Sequence, residues 1–72
     1  MKLKKYVTTL YVTYPEEGEK SVRQVWSGQD IDEAKEVAET RYEEWFSKFD
    51  ELKDCTYRIG EFTLEEEENG NE

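Results

Sequence analysis

Five carboxylates in the middle of the chain have a spacing that would align them along one side of a helix. They are separated by 4, 3, 4 and 7 residues, and they are Asp32, Glu36, Glu39, Glu43 and Asp50. With a rise of about 1.5 Å per residue, the first four follow one another every ~4.5–6 Å along the helix axis. Phosphates on one strand of B-DNA advance by about 3.4 Å each. The match in spacing is loose, but a second row about 100° round the helix, Glu33, Glu44 and Glu51, adds to the first. Two acidic rows on one helix can imitate a phosphate ridge and bind a surface rich in Lys and Arg.

Helix stability alone would not select this acidic row. Asp32–Glu36 and Glu39–Glu43 are like-charge i,i+4 pairs, each of which destabilises a helix by about 0.2–0.5 kcal/mol. The formal net charge is −9, and the stretch 30–54 alone holds ten acids against four bases. Two interpretations stay open: the row binds a basic partner, or it is an ordinary solvated helix face.

The composition argues against an enzyme, a cofactor or a metal site. The chain has no His, which removes the commonest general base and metal ligand. The single Cys55 has no His to activate it and can form no intramolecular disulfide, which fits a reducing, cytoplasmic compartment. No phosphate-binding glycine pattern and no long apolar run is present. The acidic balance disfavours direct binding of nucleic acid or membrane and favours a partner protein with a basic surface.

Aromatic residues are the second set of candidates, because ten of them must supply most of the core. Helical projection places Trp45 and Phe49 in the apolar face of the helix. Tyr42 and Phe46 fall at the flank of that face, beside the acidic row. An aromatic side chain within an acidic surround is typical of a binding hot spot, so we expect Phe46 or Tyr42 to anchor the partner.

The elements that position these residues follow from local patterns. Residues 2–14 and 20–26 predict a β-hairpin, since both are rich in β-branched and aromatic residues and a Pro-Glu-Glu-Gly turn separates them. Asp30 as N-cap, with Glu33 three residues later, predicts a helix from Ile31 to about Lys48. Residues 55–64 predict a third strand with a bulge at Gly60. The acidic tail 65–72 is expected to be disordered.

This order, ββαβ, predicts a single α+β domain over residues 1–64. The handedness rule for crossovers places the third strand on the far side of the first, giving a three-stranded sheet of order 2-1-3 with one helix packed on one face. The other face of the sheet would be open and would carry Val7 and Tyr11. The alternative to partner binding is therefore a structural or assembly module, such as a homodimer, that self-associates through this open face or a free strand edge.

The whole chain resembles a known type of protein in its order of elements and its acidic composition. A hairpin, the acidic helix SGQDIDEAKEVAETRYEEWF, a strand and a Glu-rich tail resemble the small acidic proteins that bacteriophages encode against host nucleases and defence systems, among them some anti-CRISPR proteins and DNA mimics. The resemblance implies a stoichiometric inhibitor that occupies a basic nucleic-acid-binding groove of a host protein. It rests on no motif, so it transfers no individual binding residue.

Overall fold

A computed structural model describes residues 3–67 of the chain, which form four strands and one α-helix. Strands β1 (Lys4–Tyr14) and β2 (Gly18–Gly28) precede helix α1 (Ile31–Lys48), and a 3-10 turn (Asp50–Leu52) follows the helix. Strands β3 (Thr56–Ile59) and β4 (Thr63–Glu67) end the described region. The predicted α+β class is confirmed, as is the sheet order β2-β1-β3.

The hairpin forms because two long stretches of strand-forming residues flank a tight turn. All eleven residues of β1 pair with β2 in antiparallel register, from Lys4 opposite Gly28 to Tyr14 opposite Gly18. Gly18 has φ +86°, a left-handed conformation that a residue without Cβ adopts at no steric cost. Helix α1 packs on this hairpin.

Helix α1 begins and ends where the sequence predicts. The Asp30 carboxylate accepts a hydrogen bond from the Glu33 N–H at 2.9 Å, and the Glu33 carboxylate accepts one from the Gln29 N–H. The first contact satisfies a backbone donor that the first helical turn leaves free, and the second ties the residue before the N-cap to the helix. At the other end the Phe49 N–H still bonds to the Trp45 carbonyl, but Phe49 itself has extended backbone angles.

The prediction of one bulged strand over residues 55–64 is wrong. Both β3 and β4 pair antiparallel with β1, but residues 60–62 between them leave the strand conformation. The interruption lets Phe62 turn towards the helix, where it is buried. Thr8 stabilises the break by donating its hydroxyl to the Gly60 carbonyl at 3.0 Å. The sheet therefore has four strands, and its bulge lies between β1 and β4 instead, at Lys5 and Tyr6.

The prediction of a disordered tail is wrong for its first three residues. Strand β4 continues to Glu67, so residues 65–67 belong to the sheet. The backbone of Glu66 and Glu67 pairs with Lys5 and Lys4 at the start of β1, and Glu65 forms an ion pair with Arg23 on β2. The rest of the predicted tail, residues 68–72, lies outside the described residues.

The core lies between α1 and one face of the sheet. Its buried apolar residues come from β1, from α1 and from the link between β3 and β4, and they are Tyr6, Leu10, Val12, Ala34, Ala38, Tyr42 and Phe62. Small residues at 34 and 38 let the helix approach the strands closely. The prediction that Phe49 belongs to this core is wrong: the helix ends before it, and the ring is 50% exposed.

Candidate functional site

A groove separates strand β3 from the flank of α1 that carries Glu36, Glu39 and Glu43, the acidic flank. It has a volume of about 380 Å³, and its lining consists of Glu36, Glu39, Thr40, Glu43, Tyr57 and Ile59. The groove exists because α1 packs more closely on β2 and β1 than on β3. Three of the five carboxylates of the acidic row are therefore brought together along one wall of a groove. We call this the acidic groove.

The carboxylates of the acidic groove form no ion pair within the described residues. Glu36, Glu39 and Glu43 are exposed, and none has a Lys or Arg nitrogen within 4.0 Å in the described part of the chain. The same holds for Asp32, which lies one turn before Glu36 outside the groove. Of the two attractive i,i+4 pairs that the helix offers, only Glu44–Lys48 forms. The carboxylates that line the groove are therefore unpaired in the described residues and give it a negative charge.

Asp50 does not belong to the helical row. The helix ends at Lys48, and Asp50 begins the 3-10 turn, where it forms an ion pair with Lys53 at 3.3 Å. A row that continued to this residue required another half turn of helix, which the extended backbone of Phe49 prevents. The helical part of the acidic row therefore ends at Glu43.

Tyr42 is a core residue, and its expected role as a partner-binding anchor is incorrect. Its side chain is fully buried, and its hydroxyl accepts a hydrogen bond from the Trp26 Nε1–H at 2.9 Å. Its ring makes edge contacts with those of Trp26, Trp45 and Tyr57, at centroid distances of 5.4, 5.7 and 5.9 Å. A partner could reach Tyr42 only by opening the core.

Phe46, unlike Tyr42, is partly exposed beside the acidic groove. It is half-buried and stacks on Tyr57, with ring centroids 4.4 Å apart and an angle of 29° between the planes. Tyr57 is half-buried as well and lines the groove. Sequence reasoning missed Tyr57 and Ile59 as site residues. Their alternation in β3 was visible, but it indicated only a core face.

The ionisation of Tyr57 reports the negative potential of the acidic groove. Burial raises the pKa of its hydroxyl, and the charges of Glu43 and Glu39 raise that pKa further. Like charges disfavour the tyrosinate form, so the shift indicates that both carboxylates are near the ring. The pKa of Tyr42 is also raised, in this case by burial, against the effect of its hydrogen bond with Trp26.

The open sheet face is more polar than the sequence suggests. Tyr11 is half-buried, because the Arg58 guanidinium lies over its ring at 3.9 Å from the centroid. The Arg23–Glu65 ion pair crosses the same face. Val7 is half-buried opposite Val25, which is 43% exposed. The apolar part of the face is therefore a small patch at one end of the sheet.

A second hollow, of about 740 Å³, lies at the link between β3 and β4. Charges of both signs line it, from Lys35, Glu39, Arg58 and Glu61. Because these charges offset one another, the hollow does not share the negative potential of the acidic groove. Glu39 borders both and marks the end of the acidic groove towards Gly60.

None of the described helices combines the length and the apolar composition that crossing a bilayer requires. Comparisons of the chain with protein-family models, with curated proteins and with solved structures found no match.

Proposed function

We propose that this chain is a small non-enzymatic binding protein whose acidic groove occupies a basic, nucleic-acid-binding surface of a host protein. One observation carries the proposal. Glu36, Glu39 and Glu43 line a groove beside the half-buried rings of Phe46 and Tyr57, and no cation of the described residues pairs with them. The resemblance to phage-encoded inhibitors supports the inhibitory role and a location in the host cytoplasm.

The energetics favour a basic partner over an empty groove. The repulsion between Glu39 and Glu43, at i,i+4, costs about 0.2–0.5 kcal/mol in the free protein. Lys or Arg side chains of a partner would replace this repulsion with attraction and would contact the ring of Phe46. The field of the groove would also steer a basic surface towards it and raise the association rate.

The spacing of the carboxylates supports competition with nucleic acid. Glu36 and Glu39 are about 4.5 Å apart along the helix axis, and Glu39 and Glu43 about 6 Å. A partner surface that binds phosphates every ~3.4 Å along a strand presents cations densely enough to meet each carboxylate. Bound protein would therefore exclude nucleic acid from that surface, which makes inhibition stoichiometric.

Charge reversal in the acidic groove tests the proposal. The groove variant carries Glu36→Lys, Glu39→Lys and Glu43→Lys, which moves the formal net charge from −9 to −3 (three reversals of two charges each). Wild-type protein is immobilised and incubated with a bacterial host lysate. It should capture a nucleic-acid-binding protein at about 100 mM salt and release that protein as the salt concentration rises towards ~1 M. We expect the groove variant to bind that protein at least about a hundredfold more weakly and to leave its nucleic-acid binding uninhibited.

The matched control reverses three acids that do not line the groove. The remote variant carries Glu16→Lys, Glu51→Lys and Asp54→Lys, which are exposed, form no ion pair in the described residues and change the net charge equally. We expect it to bind and inhibit within a few-fold of wild type, since the local groove and not the overall charge makes the contacts. Equal losses in both variants, or full inhibition by the groove variant, would reject the acidic groove as the binding surface.

Self-association through the open sheet face is the second candidate function. The observation that favours it is the patch around Val7, where Val25 and Leu3 are 43% and 42% exposed. A dimer formed there would bury Val7 and the edge of Tyr11. Light scattering over a concentration series would detect such a dimer, and Val25→Lys should abolish it. The same variant should leave capture of a basic partner unchanged, which distinguishes the two functions.

A further inference from the structure

Strand β3 has a free edge with a defined set of unpaired backbone groups. The Gly60 N–H donates to the Thr9 carbonyl of β1 at 2.8 Å. Backbone groups in an antiparallel ladder point alternately to either side, so Arg58, two residues earlier, also bonds to β1. The N–H and C=O groups of Tyr57 and Ile59 therefore point away from β1. In the described part of the chain, no strand lies on that side.

The two residues that offer these backbone groups also line the acidic groove. The side chains of Tyr57 and Ile59 form one wall, and Glu36, Glu39 and Glu43 form the other. Glu39 also borders the hollow at Ile59 and Gly60, whereas Phe46, further along the helix, stacks on Tyr57. Helix α1 and strand β3 therefore run alongside each other in opposite directions, with the acidic row parallel to the free edge.

The dimensions of the acidic row fit a strand placed against this edge. Side chains on one face of a strand recur every ~6.6–6.8 Å, since the rise is about 3.3–3.4 Å per residue and alternate residues share a face. Glu39 and Glu43 are about 6 Å apart along the helix axis, and Glu36 and Glu43 about 10.5 Å. Two or three alternate residues of an added strand would thus lie opposite the three carboxylates.

We propose that the part of the partner that enters the acidic groove is an extended strand. It adds to the free edge of β3 through the backbone groups of Tyr57 and Ile59, and it presents Lys or Arg at alternate positions to Glu36, Glu39 and Glu43. The inference rests on the proposed function and specifies the kind of partner. Main-chain hydrogen bonds would supply affinity, and the acidic row would select the sequence.

The other long edge of the sheet lacks this complementarity. Because the Thr9 carbonyl faces Gly60, just after β3, the backbone groups of its neighbour Leu10 face β2, where Val22 lies opposite. The outward groups of β2 thus belong to residues such as Arg23, whose side chain lies on the open face and is paired with Glu65. A basic strand there would meet the guanidinium of Arg23, whereas the edge of β3 offers unpaired carboxylates, so the edge of β2 lacks the charge complementarity of the β3 edge.

Peptides of alternating Lys and Thr test the proposal. The parent peptide has about nine residues and blocked ends, and two derivatives carry N-methyl groups on either all Lys or all Thr amides. N-methylation removes a donor, so it blocks pairing only when the methylated amides face β3. At about 150 mM salt, we expect one derivative to lose at least about tenfold in affinity and the other to bind like the parent. Equal affinity of all three peptides would overturn strand addition.

Amide hydrogen exchange gives an independent measurement with an internal control. On saturation with the parent peptide, exchange at the amides of Tyr57 and Ile59 should slow by about tenfold or more, because they acquire an acceptor. The amides of Thr56 and Arg58, which already face β1, should not change. Unchanged exchange at Tyr57 and Ile59 would contradict the proposal.

The groove variant separates failure of this inference from failure of the proposed function. If peptide binding is lost in that variant but N-methylation has no effect, the acidic groove binds basic chains without strand pairing, and only the inference is wrong. If the parent peptide binds the groove variant as tightly as wild type, both are wrong. A parent peptide that does not bind wild type overturns strand addition, while capture of a basic host protein still decides the proposed function.

Discussion

Both flanks of helix α1 carry glutamates, but those on one flank form ion pairs and those on the other form none within the described residues. On the paired flank, Glu44 accepts a hydrogen bond from Lys48 at 2.9 Å and has Arg41 at 3.9 Å, and its pKa is lowered by the bond to Lys48 and by both charges. On the acidic flank, Glu39 and Glu43 have each other as i,i+4 neighbours and no cation in the described residues. Both flanks are solvated, so solubility does not require the difference. Of the two flanks, the acidic one lines the groove beside β3.

Tyr42 decides which flank faces β3, and its removal should have the largest effect. It is fully buried beneath the helix and contacts Trp26 and Tyr57 on two strands, which fixes the rotation of α1 about its axis. We expect Tyr42→Ala to lower the free energy of unfolding by about 3–5 kcal/mol, through a cavity and an unpaired Trp26 N–H. Urea denaturation followed by circular dichroism measures this loss.

Phe46→Ala is the matched comparison, one helical turn further on. Its ring is half-buried, so less apolar area is lost, and we expect a cost below about half that of Tyr42→Ala. Similar losses for the two variants would show that the helix is not held in rotation by Tyr42, and the distinction between the flanks would lose its structural basis.

The contrast between Tyr42 and Phe46 shows where the sequence stopped being sufficient. The two residues differ by about 40° around the helix, and both lie at the flank of its apolar face. Which of them is buried depends on how the helix is rotated against the sheet, a tertiary property that helical periodicity does not contain. The helix bounds were predictable because they depend on local contacts such as the one between Asp30 and Glu33.

The strand order was predictable from handedness, but the details of the third strand were not. The break after Ile59 depends on Phe62 leaving the ladder for the core and on the Thr8 hydroxyl meeting the Gly60 carbonyl, 52 residues away in sequence. For the same reason Tyr57 could not be recognised as a groove residue. Its position opposite Glu39 and Glu43 follows from packing between elements that are distant in the chain.

Charge reversal should change stability with opposite signs on the two flanks. Glu36→Lys with Glu43→Lys converts two like-charge i,i+4 pairs into attractive ones, with the acid on the N-terminal side in each. We expect this double variant to gain about 1 kcal/mol in the free energy of unfolding. Glu44→Lys breaks the pair with Lys48 and should lose about 0.5 kcal/mol.

Thermal or urea unfolding at low salt measures both changes, and about 1 M salt should remove most of each. A stabilised double variant that no longer binds the basic partner would show that the acidic flank trades stability for binding. Destabilisation of that variant would mean that Glu36 and Glu43 make favourable contacts within the protein, which contradicts the description of the flank as unpaired.

The smallest expected effect is a change in the pKa of Tyr57, which the charges of the acidic flank raise. Glu39→Gln with Glu43→Gln removes the charges that disfavour tyrosinate, so the pKa of Tyr57 should fall towards its ordinary value of about 10, with burial keeping part of the increase. Glu44→Gln, on the paired flank, should leave that pKa unchanged. NMR of the tyrosine ring carbons between about pH 9 and 12 resolves each residue.

The same titration fixes the sign of the alkaline stability change. Because the pKa values of Tyr57 and Tyr42 are raised in the folded state, the unfolded chain loses these protons first as pH increases. The stability that both tyrosines confer is therefore complete below about pH 10 and is lost as pH rises through their folded pKa values. The double Gln variant should lose less stability over this range than Glu44→Gln. Equal losses would place Tyr57 beyond the reach of Glu39 and Glu43, and the two flanks would then be electrostatically equivalent at the edge of β3.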